Sequence, residues 1–267
     1  MIVRIFTAVS VLGAAIYYFA LGLAISDIWK ALIAFFVFFL ASNAVCFVML
    51  WIFSLINKPD GKKQSGFCRR WCVHVATLAL FYLRVRAHIS GEEKIPEGRF
   101  LFVSNHRSAF DPLSAIVLLA KYNVAFITKP ENLKIPVFGP IAAGDCYLPI
   151  NRDNDREALR TVIKAAELIK NDVCSVAIYP EGTRSRTGKL LPFKAGAFKI
   201  AQKAKAPVVV AACRGTDRAM KIFRPGRADV YLDIVGVISA EDAANMQTTE
   251  ISAMAEKMIS DRLKETE

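Results

Sequence analysis

Two long stretches without a single charged residue open this chain, residues 5–25 and 31–56, and only the segment SDIWK parts them. A backbone inside hydrocarbon must satisfy its own polar groups, so each stretch has to be helical there. About 20 apolar residues suffice to cross a core of about 30 Å. With only five residues between them, the two helices either span the bilayer or form a hairpin held in one leaflet. A cleavable signal peptide fits the first stretch less well. Small residues stand at Ala20, Gly22 and Ala24, but a second stretch follows at once and Arg4 is the only charge ahead of it. Lys58, Lys62, Lys63, Arg69 and Arg70 follow the second stretch. The positive-inside rule therefore predicts a cytoplasmic bulk of the chain, held at a cell inner membrane or its equivalent.

The remainder reads as two further segments. NKPDGKKQSG is a linker by its Pro, Gly, Ser and Lys content. After it, Phe67, Trp71, Val75, Leu78, Tyr82 and Val85 recur at helical spacing. Residues 57–90 carry seven Lys or Arg against one Asp. A cationic, aromatic helix beside a membrane anchor suits an anionic lipid surface, and the same pattern suits an ordinary packed helix with a solvated face. Beyond residue 98, apolar β-branched runs alternate with helical patterns. RFLFVSN, NVAFIT, CYLPI, CSVAIYP, PVVVAACRG and ADVYLDIVGVI are predicted strands; 112–120, 154–170, 193–204 and the closing segment are predicted helices. That alternation predicts an α/β domain, a mixed and largely parallel sheet flanked by helices. The expected organisation is a membrane-anchoring helical hairpin at 1–57, a basic linker and amphipathic helix at 58–98, and the α/β domain at 99–267.

The formal net charge of +11 calls for an anionic partner. No helix-turn-helix, zinc finger or RNA-binding signature is present, and the charge lies next to lipid-seeking sequence, which argues against nucleic acid. The six cysteines are scattered through apolar segments and read as small buried hydrophobes. CRRWCVH offers three candidate metal ligands with no second cluster, so no metal is expected.

Two constellations carry chemistry. In LFVSNHRSAFDP, His106 follows a strand and Asp111 precedes a proline. Asp before Pro is a helix-start signal, with Asp as N-cap. One carboxylate oxygen could cap the helix while the other steadies the imidazole, leaving the far ring nitrogen free to act as a general base. No protein nucleophile accompanies the pair, which points to a hydroxyl on the substrate. In AIYPEGTRSRTGKLLPFKAGA, Glu181, Gly182, Thr183 and Arg184 form a polar turn at a strand end, with Arg186, Lys189 and Lys194 behind it. The nucleotide-binding pattern G-x-x-x-x-G-K-[ST] is not met. An arginine in such a turn can grip a phosphate through two parallel bonds, while Glu181 fixes its angle or meets substrate hydroxyls.

Together, NHRSAFDP and YPEGTRS resemble the paired N-H-x-x-x-x-D and F-P-E-G-T-R-S motifs of the lysophospholipid and glycerolphosphate acyltransferase family, best known from 1-acylglycerol-3-phosphate acyltransferases. The resemblance spans roughly residues 85–215. Tyr179 stands where phenylalanine is usual, and Asn151 precedes Arg152 where an aspartate is more typical. What the resemblance implies is acyl transfer from acyl-CoA or acyl carrier protein to the sn-2 hydroxyl of lysophosphatidic acid at a phospholipid membrane, giving phosphatidic acid without a bound cofactor. It implies His106 as base, Asp111 as its partner, Lys129, Arg152 and Arg184 on the phosphate, and Glu181, Gly182 and Thr183 shaping the acceptor site. Another lysolipid acceptor, or a catalytically silent protein that binds anionic lipid, fits the same residues.

Overall fold

The computed structural model describes residues 2–22, 24, 27–56, 61–185, 189–219 and 226–266, and these fall into two compact units that divide at Lys58. Residues 57–60 of the linker NKPDGKKQSG, Lys58 among them, lie outside the described residues. The first unit is helix α1 (Ile2–Ala20) packed on helix α2 (Ile28–Ile56). Ser10 and Ala14 are its buried residues, and Gly13 sits where a Cβ would stand 3.1 Å from the Phe38 ring. Small residues at three- and four-residue steps let two apolar helices approach closely without help from the hydrophobic effect. No residue of α2 is buried, and its 29 residues make it long and apolar enough to cross a membrane.

The second unit begins with α3 (Gly66–Tyr82), whose N-cap Ser65 accepts from Cys68 N. Its buried stripe is Cys68, Arg69, Cys72, Ala76 and Leu80. A buried arginine needs compensation. Arg69 donates to the carbonyls of Val124, Leu119 and Ala120 and lies 3.4 Å from Asp145 Oδ2. Gln64 donates to Asp145 Oδ1 at 2.8 Å. Burial dominates at Asp145 and pushes its carboxyl up to about 6 despite that arginine.

A seven-stranded sheet follows: β1 (Val85–Ser90), β2 (Leu101–Ser104), β3 (Val124–Thr128), β4 (Leu148–Pro149), β5 (Ser175–Ile178), β6 (Val208–Arg214) and β7 (Ala228–Ile238). Their spatial order is β1-β7-β6-β2-β5-β3-β4, and every neighbouring pair is parallel except β6 with β7. The central strands β2 and β5 are buried at every position, as continuous apolar runs covered on both faces must be. Helices α4 (Phe110–Leu118), α5 (Phe138–Gly144), α6 (Asp155–Lys170), α7 (Lys199–Ala204), α8 (Thr216–Ala219), α9 (Ala240–Asn245) and α10 (Thr248–Lys264) complete the fold.

All six predicted strands are present. The sequence reading missed β1, which it had assigned to the basic segment, and the short helices α5, α8 and α9. β1 is an edge strand whose Arg86 and His88 are exposed, so its alternating pattern resembles a charged surface segment.

Candidate active site

Parallel strands present their carboxyl ends on one side of a sheet, where ligands of α/β folds gather. Here β2, β5, β3 and β4 are successive neighbours, and the loops that leave them carry His106, residues 179–184, Lys129 and Arg152 respectively. The two predicted constellations therefore meet because β2 pairs directly with β5.

His106 Nδ1 lies 2.8 Å from Asp111 Oδ2. The same oxygen accepts from Arg107 N at 2.6 Å and Ser108 N at 2.7 Å. A carboxylate oxygen fed by two backbone donors can only accept a third bond, so Nδ1 carries the proton and Nε2 offers a lone pair. Nε2 has no partner among the described residues, and His106 borders a cavity of about 940 Å³. The His106 ring is stacked on Tyr179, with centroids 4.5 Å apart and planes 23° from parallel.

Asp111 is fully buried but is not the N-cap. Helix α4 starts at Phe110, two residues earlier than an Asp cap requires; Ala109 stands at the N-cap without a side-chain bond, and Ser108 Oγ accepts from Phe110 N. This frees Asp111 for the turn of residues 106–108. Its other oxygen accepts from Cys213 Sγ at 3.5 Å. Burial and the Asp111 charge push the Cys213 thiol up, which keeps it a donor. Cys213 is thus more than the apolar filler expected.

Glu181 is buried, and both of its oxygens are occupied by backbone donors: His106 N at 2.5 Å and Leu191 N at 3.0 Å. Burial raises its carboxyl above the ordinary value, and these two bonds oppose that rise. Ser185 N donates to His106 O at 2.8 Å, so the loop after β5 grips the His106 peptide from both sides. Both Glu181 oxygens thus hold backbone donors, and no bond to Arg184 is found among the described residues.

Lys129, Arg152, Gly182, Thr183 and Arg184 all line the cavity with His106. None of Lys129, Arg152 and Arg184 is in an ion pair among the described residues. Burial lowers Arg152 from the ordinary arginine value, with Asp153 opposing. Asn151 Nδ2 donates to Glu157 Oε2 at 2.9 Å and Asn151 Oδ1 accepts from Asp153 N at 3.1 Å. An aspartate could not make the first of these bonds, which accounts for asparagine at this turn. Arg186 lies outside the described residues.

Sequence reading overlooked Asn105, which exchanges two hydrogen bonds with the Cys213 backbone, at 2.7 and 2.9 Å, and pins the start of the histidine loop to β6. Its place directly before the histidine was the available signal. Away from the polar turns the cavity is apolar, walled by Leu113, Ile116, Phe126, Phe138 and Val162.

Residues 86–214 match the model of the acyltransferase family. The chain is 26% identical over 226 residues to the 1-acyl-sn-glycerol-3-phosphate acyltransferase of Haemophilus influenzae, covering 83% of this chain and 92% of that protein. To the enzyme of that name in Escherichia coli it is 27% identical over 222 residues, covering 80% and 90%. The crystal structure of the 1-acyl-sn-glycerophosphate (LPA) acyltransferase from Thermotoga maritima superposes with a TM-score of 0.63 at 26% identity, covering 74% of this chain and 79% of the other. Over residues 86–214 the chain is similar to the acyltransferase family. The matched span runs from β1 to the end of β6, so it takes in both constellations and the strands that bring them together.

Proposed function

We propose that the protein is a membrane-bound acyltransferase that moves a fatty acyl group from a thioester, acyl-CoA or acyl carrier protein, to the sn-2 hydroxyl of lysophosphatidic acid, yielding phosphatidic acid on the cytoplasmic side of the membrane. One observation carries this reading. A histidine whose Nδ1 is held by a buried aspartate, and whose Nε2 has no partner among the described residues, lines a cavity that is bordered by apolar side chains and by several cations. A lysophosphatidate divides in the same way, with an acyl tail for the apolar part and a phosphate for the cations.

In this mechanism His106 Nε2 takes the proton from the sn-2 hydroxyl as the oxygen attacks the thioester carbonyl carbon. Asp111 stabilises the imidazolium that forms. Collapse of the tetrahedral intermediate breaks the carbon–sulfur bond, and His106 returns the proton to the leaving thiolate. Arg184, Lys129 and Arg152 hold the phosphate, and α1 with α2 anchors the chain in the membrane. The similarity to enzymes named for this acceptor supports the substrate.

Purified full-length protein in detergent, given acyl-CoA or acyl carrier protein thioester with lysophosphatidate, is expected to release free thiol and form phosphatidate. Absence of thiol release with every donor overturns the reading in favour of a lipid-binding protein. Release only with a lysolipid of larger head group corrects the acceptor.

A further inference from the structure

Gly182 has a φ of +72°, and a Cβ built on it would stand 3.1 Å from Lys194 Cε and 3.4 Å from both Cδ and Nζ. The lysine stem therefore lies across the glycine. Lys194 N donates to Pro180 O at 2.9 Å, which holds the root of that side chain beside the turn of residues 181–184. Lys194 lines the same cavity as His106 and Arg184, and its Nζ has no hydrogen bond or ion pair among the described residues. Lysine stems in water sample many rotamers; this one has packing on its inner side and a charge left without an answer.

The surroundings deepen the imbalance. Lys129, Arg152, Arg184, Lys194 and Lys199 all border the cavity, and none is in an ion pair among the described residues. Like charges gathered around one opening repel one another, and a multiply charged anion relieves that repulsion. A guanidinium meets two oxygens of a phosphate in its plane, whereas a lysine adds a compact point charge with three donors. A phosphoryl dianion held by Arg184 thus has an oxygen to spare for an ammonium arriving from the side of Gly182.

From this we infer that Lys194 binds a phosphoryl group of a substrate next to Arg184, and that residue 182 is glycine partly so that the lysine can lie over it. The inference rests on the acyl-transfer reading for the identity of the substrate. Two sources supply the group: the phosphomonoester of the acceptor, and the phosphate on the carrier of the thioester donor.

Lys194→Met keeps the stem and removes the charge. The expected result in the full chain is a rise in acceptor KM of about 10- to 100-fold with little change in kcat, the scale of one lost charge-assisted contact. A rise in donor KM in its place assigns Lys194 to the carrier phosphate. Unchanged values for both overturn the inference. A second measurement needs no turnover: inorganic phosphate binding, read by competition or by thermal shift, should weaken by a similar factor in Lys194→Met. If the wild type acylates no lysophosphatidate, the functional reading fails, and the phosphate titration still decides on Lys194, equal affinities for wild type and variant overturning it.

Discussion

Glu181→Gln separates two uses of the same side chain. In the structure one carboxylate oxygen accepts from His106 N and the other from Leu191 N, with the residue 4% exposed. Glutamine keeps one acceptor and sets an NH2 group against the second backbone donor. A buried N–H without an acceptor costs about 1–3 kcal/mol, and a hydrogen bond to a charged group is worth about 1.5–3 kcal/mol. Relief from burying a charge offsets part of this, since burial is the largest influence on the Glu181 carboxyl. The net expectation is a stability loss of about 1–3 kcal/mol. Catalysis should suffer more than binding. The His106 peptide loses its grip on one side, and a displacement of about 1 Å at a reacting group costs on the order of 100-fold. Thermal melting in detergent gives the first quantity, and steady-state kinetics with lysophosphatidate give the second, as a fall in kcat at nearly constant acceptor KM. A raised KM with normal kcat and normal melting would refute the positioning role and return Glu181 to the substrate.

Other expectations follow from single charged side chains. Asp145 titrates near 6 in the fold, above the ordinary carboxylate range near 4, so the folded state holds its proton to higher pH than the unfolded chain. Stability should therefore fall as pH rises from about 4 to about 6, by about 3 kcal/mol, and level off above that. Asp145→Asn should flatten the curve, and a slope kept in that variant refutes the assignment. Arg184→Ala should raise acceptor KM strongly while kcat changes less; an unchanged KM counts against a phosphate grip.

The pairing of His106 with Asp111 was legible from sequence to the extent that local chemistry sets it. His106 and Asp111 lie in one turn, and their pairing needs only the loop between β2 and α4. The role of Asp111 within that turn was harder to read, because Asp before Pro signals a cap whichever residue ends up capping. Ala109 holds the cap position while the Ser108 hydroxyl accepts from Phe110 N, an outcome that spacing alone does not decide. The backbone contacts of Glu181 were hidden for a different reason. Its partners are peptide groups at residues 106 and 191, brought near by the pairing of β2 with β5, and a backbone donor leaves no mark in the sequence. β1 was missed because half of an edge strand faces solvent, and here that half carries Arg86 and His88. The central strands were easy by contrast, since burial on both faces leaves only apolar residues to choose from.

The account depends most on proton transfer by His106, and replacing that side chain tests it most directly. Single-turnover acyl transfer by His106→Ala, in full-length protein that melts and partitions into membranes like the wild type, is predicted to fall by about 10²- to 10⁴-fold or more. Transfer within a few-fold of wild type would contradict it.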